Sequence, residues 1–331
     1  MKNLSFTLYQ NNYHNCGRLA TSAMLKRLNV PLNKIWGQSG LFYKVNESGF
    51  KISPYFRHII SEFENYGIFL TEERFTDFKE CYKAIKRLID SGKTVALETD
   101  IYELPYCIYY QDHHELHEIE IVDIVGDELI ICDHYYHYYG PIKFLELEKN
   151  FNSCRDHITH ATCKIYSFEV NYELLYKNEL FNFKRVIDEN LKVMSGVPVG
   201  DLIEESTKEN NKEVYIGISA IEPIGKIIEK AVQMDKEAAA WQLYEVYREL
   251  KETANSRYNF HVLLNSYSFP QVGSAFSEIS QDWSVAANLT TRSMVTENFE
   301  NLYPRIKSRF EKVIRKEESV LKELDSLLKN I

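Results

Sequence analysis

The chain has 331 residues, 44% of them hydrophobic, which suits two ordinary domains with buried cores. Its formal net charge of −9 argues against general nucleic-acid binding, which needs clustered Lys and Arg to replace counterions. No stretch approaches the roughly 20 consecutive apolar residues of a membrane span. The opening "MKNLSFTLYQNN" has no apolar h-region, and the six cysteines contain no CxxC pair. Reduced thiols in a cytoplasmic protein are therefore expected.

Apolar residues at Leu19, Ala20, Ala23, Met24 and Leu28 recur with helical period, so a helix opens beside Gly17 and stops at Asn29 and Pro31. "SPYFRHIISEFENYG" predicts a second helix, capped by Ser53 with Pro54 in its first turn and ended by Gly67. A third spans about Asp77 to Asp90, closed by Gly92. Strands follow in "KTVALETD", in a hairpin across "HEIEIVDIVGDELIICD" with its turn at Gly126-Asp127, and in "ATCKIYSFEV". From about Leu174 five long segments keep helical periodicity with little Gly or Pro. The expected fold class is α+β. A domain over 1–172 carries an antiparallel sheet, and an all-α domain spans 175–331.

The chemistry concentrates in "LYQNNYHNCGRLATSAMLKRL". Cys16 sits where a helix begins, and free N–H groups and the helix dipole favour a thiolate there. Gln10 precedes it by six residues and offers an amide N–H. Paired with the Cys16 backbone N–H, it would form an oxyanion hole. The alternative is a buried structural cysteine at a helix start. Catalysis also needs a base held by a carboxylate. His117 starts the first hairpin strand and Asp133 ends the second, so folding the hairpin brings the two together. His113 and His114 precede the strand and rank behind His117. His14, two residues before Cys16, is a competing electrostatic partner.

Other residues allow both a binding and a packing reading. Asp100, Tyr102 and Tyr106 lie in "DIYELPY", which either lines an acyl pocket or is a loop after a strand. Tyr135 belongs to the Tyr-rich "HYYHYYG" after Asp133, which either walls the substrate or covers a sheet edge. Tyr43 closes "GQSGLFY", a lid or a plain turn. The histidines from His113 to His137 raise a metal reading, but HEXXH is absent and the His-rich segment precedes a strand. No metal or other cofactor is expected. Arg305, Arg309 and Lys312 belong to a basic stretch in an acidic protein. It is either an ion-paired helix face or a docking site for an acidic partner.

"QNNYHNCG" and "HEIEIVDIVGDELIICD" resemble the Cys and His-to-Asp motifs of papain-like bacteriocin-leader peptidases. The wider set, "GQSGLFY", "DIYELPY", the "HELH" before the hairpin and the helical "RYNFHVLL" with Trp283 beyond it, resembles the butirosin biosynthesis protein H type of acyltransferase across nearly the whole chain. That resemblance implies a papain-like N-terminal domain. It also implies transfer of an acyl group from an acyl or peptidyl carrier-protein thioester to an amine, through an acyl-cysteine, in antibiotic or peptide biosynthesis. Carried over, Cys16 is the nucleophile, His117 the base, Asp133 its orienting partner and Gln10 the oxyanion donor. A peptidase, amidase or thioesterase would use the same residues with water as acceptor. A non-catalytic binding protein of the same fold is the remaining class. Aromatic content of 13% and a long helical domain are compatible with a homodimer.

Overall fold

A computed structural model describes residues 7–46, 49–208, 213–231, 233–296 and 298–331. In chain order, α1 (Cys16–Arg27) leads to β1 (Phe42–Asn46), β2 (Gly49–Ser53), a short α2 (Ile59–Glu64) and β3 (Ile68–Phe75). Then come α3 (Phe78–Asp90), β4 (Val95–Asp100), β5 (Leu116–Val125), β6 (Glu128–Asp133), β7 (Tyr138–Lys143) and α4 (Phe144–Ser153). Strand β8 (Cys163–Val170) precedes α5 (Tyr172–Lys177), α6 (Glu179–Met194), α7 (Asp201–Lys208) and the short β9 (Val214–Ile216). The remainder is helical: α8 (Ile221–Ala231), α9 (Lys236–Ser266), α10 (Pro270–Thr296) and α11 (Phe299–Asn330). The fold is thus α+β, with antiparallel sheets followed by a helical C-terminal region. Among the described residues no helix is long and apolar enough to cross a membrane.

The chain divides into two compact units, residues 1–32 with 67–175 and residues 33–66 with 176–331. The sequence placed 33–66 with the first domain. Instead β1 pairs with both β2 and β9, and that pairing ties the segment to the second unit.

The first unit is built on one antiparallel sheet in the order β3-β8-β4-β5-β6-β7. Leu97, Ile119, Ile131 and Ile165 on its strands are buried with Phe78 and Ile85 of α3 and Leu147 and Phe151 of α4. Helix α1 packs against β5 and buries Leu19, Ala20, Ala23, Met24 and Leu25. The sheet is larger than the hydrophobic pattern suggests. Strand β3, "IFLTEERF", alternates too weakly to signal itself from sequence. Strand β7 lies in the Tyr-rich segment read as a loop, and it tolerates Pro141 because it is an edge strand.

In the second unit, β2-β1-β9 form a three-stranded sheet beside helices α6 to α11. The core runs from Leu41 and Ile52 through Phe260, Trp283 and Phe276 to Ile306 and Leu324. The helix expected from Ser53 starts only at Ile59. Tyr55 donates its N–H to Ser53 Oγ, Phe56 and Arg57 donate to Gln38 Oε1, and His58 donates to Asp201 Oδ1. Side-chain acceptors thus take the N–H groups of four successive residues, and the helix begins after them.

Candidate active site

Cys16 is the first residue of α1. Asn15 caps the helix, its Oδ1 accepting from the Arg18 N–H at 3.0 Å. The sulfur therefore lies at the end where unpaired N–H groups and the dipole favour negative charge. Five of the six thiols are buried and only Cys16 is partly exposed. Gly17 next to it leaves room for Glu118: a Cβ there would lie 2.8 Å from Glu118 Oε2 and push that carboxylate aside.

The hairpin delivers the partners. Gly126, at φ +67°, makes the turn, and the β5–β6 register pairs Glu120 with Cys132 and Ile121 with Ile131. Across its open end His117 Nε2 lies 2.7 Å from Asp133 Oδ2. Cys16 also lies close enough to His117 to raise its pKa. Since Nε2 faces Asp133, Nδ1 is the nitrogen left for another partner. Burial alone lowers the His117 pKa. Its hydrogen bond to Asp133 and its interactions with Asp133 and Cys16 outweigh that and raise it to about 10. These partners favour the protonated ring.

Asp133 is fully buried and closely held. Its Oδ1 accepts from the N–H groups of Tyr135 and Tyr136 at 3.0 and 2.9 Å, and its Oδ2 accepts from Tyr106 Oη at 3.2 Å. Burial pushes its pKa up, but His117 and those two N–H groups together leave it below the usual carboxylate value. Gln10 is exposed, with its amide nitrogen 3.5 Å from His137 Nδ1 in the Tyr-rich segment. His14 is buried, with Nδ1 3.2 Å from Ser22 Oγ.

The five residues read as substrate contacts separate into different roles. Tyr135 is half exposed and its ring centre lies 5.9 Å from that of His117. Tyr106 gives its hydroxyl to Asp133 and stacks on Tyr138 at 4.0 Å. It is a support for the carboxylate rather than an open wall. Tyr43 is buried in the second unit's core, 6.0 Å from Tyr215, which corrects its reading as a lid residue. Asp100 is fully buried and its carboxylate is taken by protein donors, which corrects its reading as a substrate contact. Tyr102 stacks on His114 at 4.3 Å.

A second buried polar cluster escaped sequence reading. Glu120 receives Arg27 through two hydrogen bonds, one from Nε at 3.2 Å, and lies 2.9 Å from His134 Nε2. His134 Nδ1 accepts from the Tyr9 N–H at 3.0 Å. Glu120, Cys132 and His134 are grouped closely enough to hold a metal ion. Their chemistry does not fit one. Arg27 already neutralises Glu120, the backbone occupies Nδ1, and burial with Glu120 pushes the Cys132 thiol up to about 12. The only signal in sequence was a charged residue inside an apolar strand.

In the second unit, Arg309 Nη1 and Lys312 Nζ lie 3.0 and 2.9 Å from Asp282 Oδ1, and Lys316 Nζ lies 2.9 Å from Oδ2. Lys316 also meets Glu278 at 2.8 Å. The basic stretch is thus largely an ion-paired face. Arg305 is exposed.

No curated protein matches the chain. Residues 52–134, which include His117 and Asp133 but not Cys16 or Gln10, match the family model described as butirosin biosynthesis protein H, N-terminal. Over that segment the chain is similar to the butirosin biosynthesis protein H type.

Proposed function

We propose that the chain is a cysteine-dependent acyltransferase with a papain-like site. It moves an acyl group from a carrier-protein thioester to an amine, in biosynthesis of the kind for which its family is named. The observation that carries this reading is a single partly exposed thiol at a helix N-terminus, near a buried His117 that is hydrogen-bonded to Asp133. That arrangement supplies a nucleophile, a proton carrier and an anion-stabilising backbone in one place.

In the proposed reaction the Cys16 thiolate attacks the thioester carbon. The Cys16 N–H, and Gln10 once its amide turns inward from His137, stabilise the oxyanion. Collapse expels the carrier thiolate, which takes the proton from His117 Nδ1. A neutral amine then attacks the acyl-cysteine and gives a proton to His117. The C–S bond breaks, the amide leaves, and the thiolate–imidazolium pair is restored. Asp133 keeps the ring oriented through both halves. Hydrolysis at the same site would place water where the amine enters.

The test is intact-protein mass spectrometry of wild type and Cys16→Ala with a panel of acyl thioesters, followed by amines. The expected result is a mass increment on wild type alone that amine discharges as amide. Discharge by water alone at the same rate would make the chain a hydrolase. Acylation of Cys16→Ala equal to that of wild type would reject Cys16 as nucleophile.

Carrier docking on Arg305, Arg309 and Lys312 belongs to the same proposal. More cations than carboxylates gather around Asp282 and Glu278, so the face keeps positive charge for an acidic partner. Arg309→Glu with Lys312→Glu should raise KM for a carrier-bound donor about 10-fold and leave a small thioester unchanged. Equal effects on both donors would remove docking from this face.

A further inference from the structure

Two motifs read separately in the sequence meet in one cluster. Asp100 comes from "DIYELPY", and His114 is the first residue of "HELH". His114 Nδ1 lies 2.6 Å from Asp100 Oδ2. Ser153 Oγ donates to the same oxygen at 2.7 Å, and the N–H groups of Tyr102 and Glu115 donate to Oδ1 at 3.1 and 3.3 Å. Asn150 clasps the Asp100 backbone from both sides, accepting from its N–H at 3.1 Å and donating to its carbonyl at 2.8 Å. The carboxylate is therefore fixed in position.

The imidazole is equally fixed but open. Its ring lies between Tyr102 and His157, with centroids at 4.3 and 4.2 Å and planes nearly parallel. The His114 side chain is 34% exposed, whereas Asp100 is at 0%. A carboxylate that accepts Nδ1–H leaves the Nε2 lone pair as the free end of the ring. The backbone donors and Ser153 already anchor Asp100, so His114 adds what they cannot, an oriented and accessible proton acceptor.

The pair lies next to the catalytic base along the backbone. Thr99, the neighbour of Asp100, is the cross-strand partner of His117, and its hydroxyl donates to the His117 carbonyl at 3.2 Å. His117 is three positions after His114, so their Cα atoms are within about 10 Å. Asp112 and Glu115 flank His113 at 2.9 and 3.5 Å, two carboxylates around one imidazole next to His114 in the chain.

We propose that His114, oriented by Asp100, is the acceptor-side base of the same site, taking one proton from an incoming primary ammonium ion. This rests on the acyl-transfer reading. An ammonium ion has no lone pair and must lose a proton before it can attack. His114 Nε2 takes that proton and passes it to solvent. The free amine then forms the C–N bond with the Cys16 acyl group. Its second proton goes to His117 as the C–S bond breaks and the Cys16 thiolate departs. One base thus prepares the nucleophile and the other completes the substitution.

The experiment uses the full chain loaded on Cys16 by an acyl thioester. Intact-protein mass spectrometry times discharge by a strongly basic alkylamine and by a weakly basic alkoxyamine, which is already neutral at the working pH. His114→Gln is expected to load at the wild-type rate. Its discharge by the alkylamine should fall by about 10- to 100-fold, while discharge by the alkoxyamine stays within about 2-fold. Added imidazole should restore alkylamine discharge in His114→Ala. Equal losses with both amines, a loss in loading, or no loss at all overturns the proposal. A wild type that takes no acyl group on Cys16 removes the acyl-transfer reading itself, and this inference with it.

Discussion

Asp133→Asn is expected to lower acyl transfer by about 10³- to 10⁴-fold while the protein still folds. The carboxamide is nearly isosteric and its oxygen can still accept from Tyr135 and Tyr136. Its NH2 group would then face His117 Nε2, where a donor meets a donor. The ring must give up its proton there or rotate; giving it up leaves the neutral Nδ1–H tautomer, whose Nδ1 can take no proton from the thiol or the amine. Single-turnover loading of Cys16 measures this directly. A loss below about 10-fold would mean that Asp133 does not set the orientation of His117.

The same pair makes a signed prediction for stability against pH. His117 has a folded pKa of about 10 against an ordinary 6.5. Its contribution is full below about pH 6.5, declines above it, and is lost as pH rises through about 10. Asp133 has a lowered folded pKa against an ordinary 3.8, so its contribution is full above that value and is lost as pH falls through the lowered one. Urea unfolding from pH 6 to 10 should therefore show a decline in wild type that is much flatter in Asp133→Asn. Parallel curves would show that His117 does not carry the raised pKa.

Arg257→Ala is the second large effect, this time on stability. Arg257 and Glu317 are both fully buried, with Nε 2.8 Å from Glu317 Oε1. Nη1 donates to the Gly40 carbonyl at 2.7 Å, and Trp283 Nε1 donates to the same Glu317 oxygen at 3.2 Å. One guanidinium therefore joins α9, α10 and α11 to the segment leading into β1. Removing it leaves a carboxylate in an apolar core with a hydrogen bond from Trp283. The expected cost is about 3–5 kcal/mol. Arg257→Met with Glu317→Leu should recover most of that, because desolvation opposes much of what the buried pair contributes. Chemical denaturation of the single and double variants measures both. A single variant that loses under about 1 kcal/mol would show that the pair is hydrated and relaxed rather than sealed.

This buried pair also explains a motif that the sequence could quote but not interpret. "RYNFHVLL" and Trp283 stood out as parts of a resemblance, with no chemistry attached. In the structure they are the polar centre of a helical core, which only tertiary packing brings together.

The sequence by itself determined the α+β class, the helix behind Cys16, the hairpin from His117 to Asp133 and the helical second half. Each is written in local periodicity or turn chemistry, because amphipathic faces and Gly126 act over a few residues. It also singled out Cys16 among six thiols through its helix-start position. Tertiary structure alone decided the rest. Strand β3 and strand β9 exist because partners pair with them, not because their side chains alternate strongly. Residues 33–66 join the second unit through long-range strand pairing that no local pattern encodes. Asp100, Tyr106 and Tyr43 looked alike as polar or aromatic residues in loops, yet one orients His114, one supports Asp133 and one fills a core. Those roles depend on which buried group needs a hydrogen-bond partner once the chain is folded, and that need arises only when distant segments exclude water together.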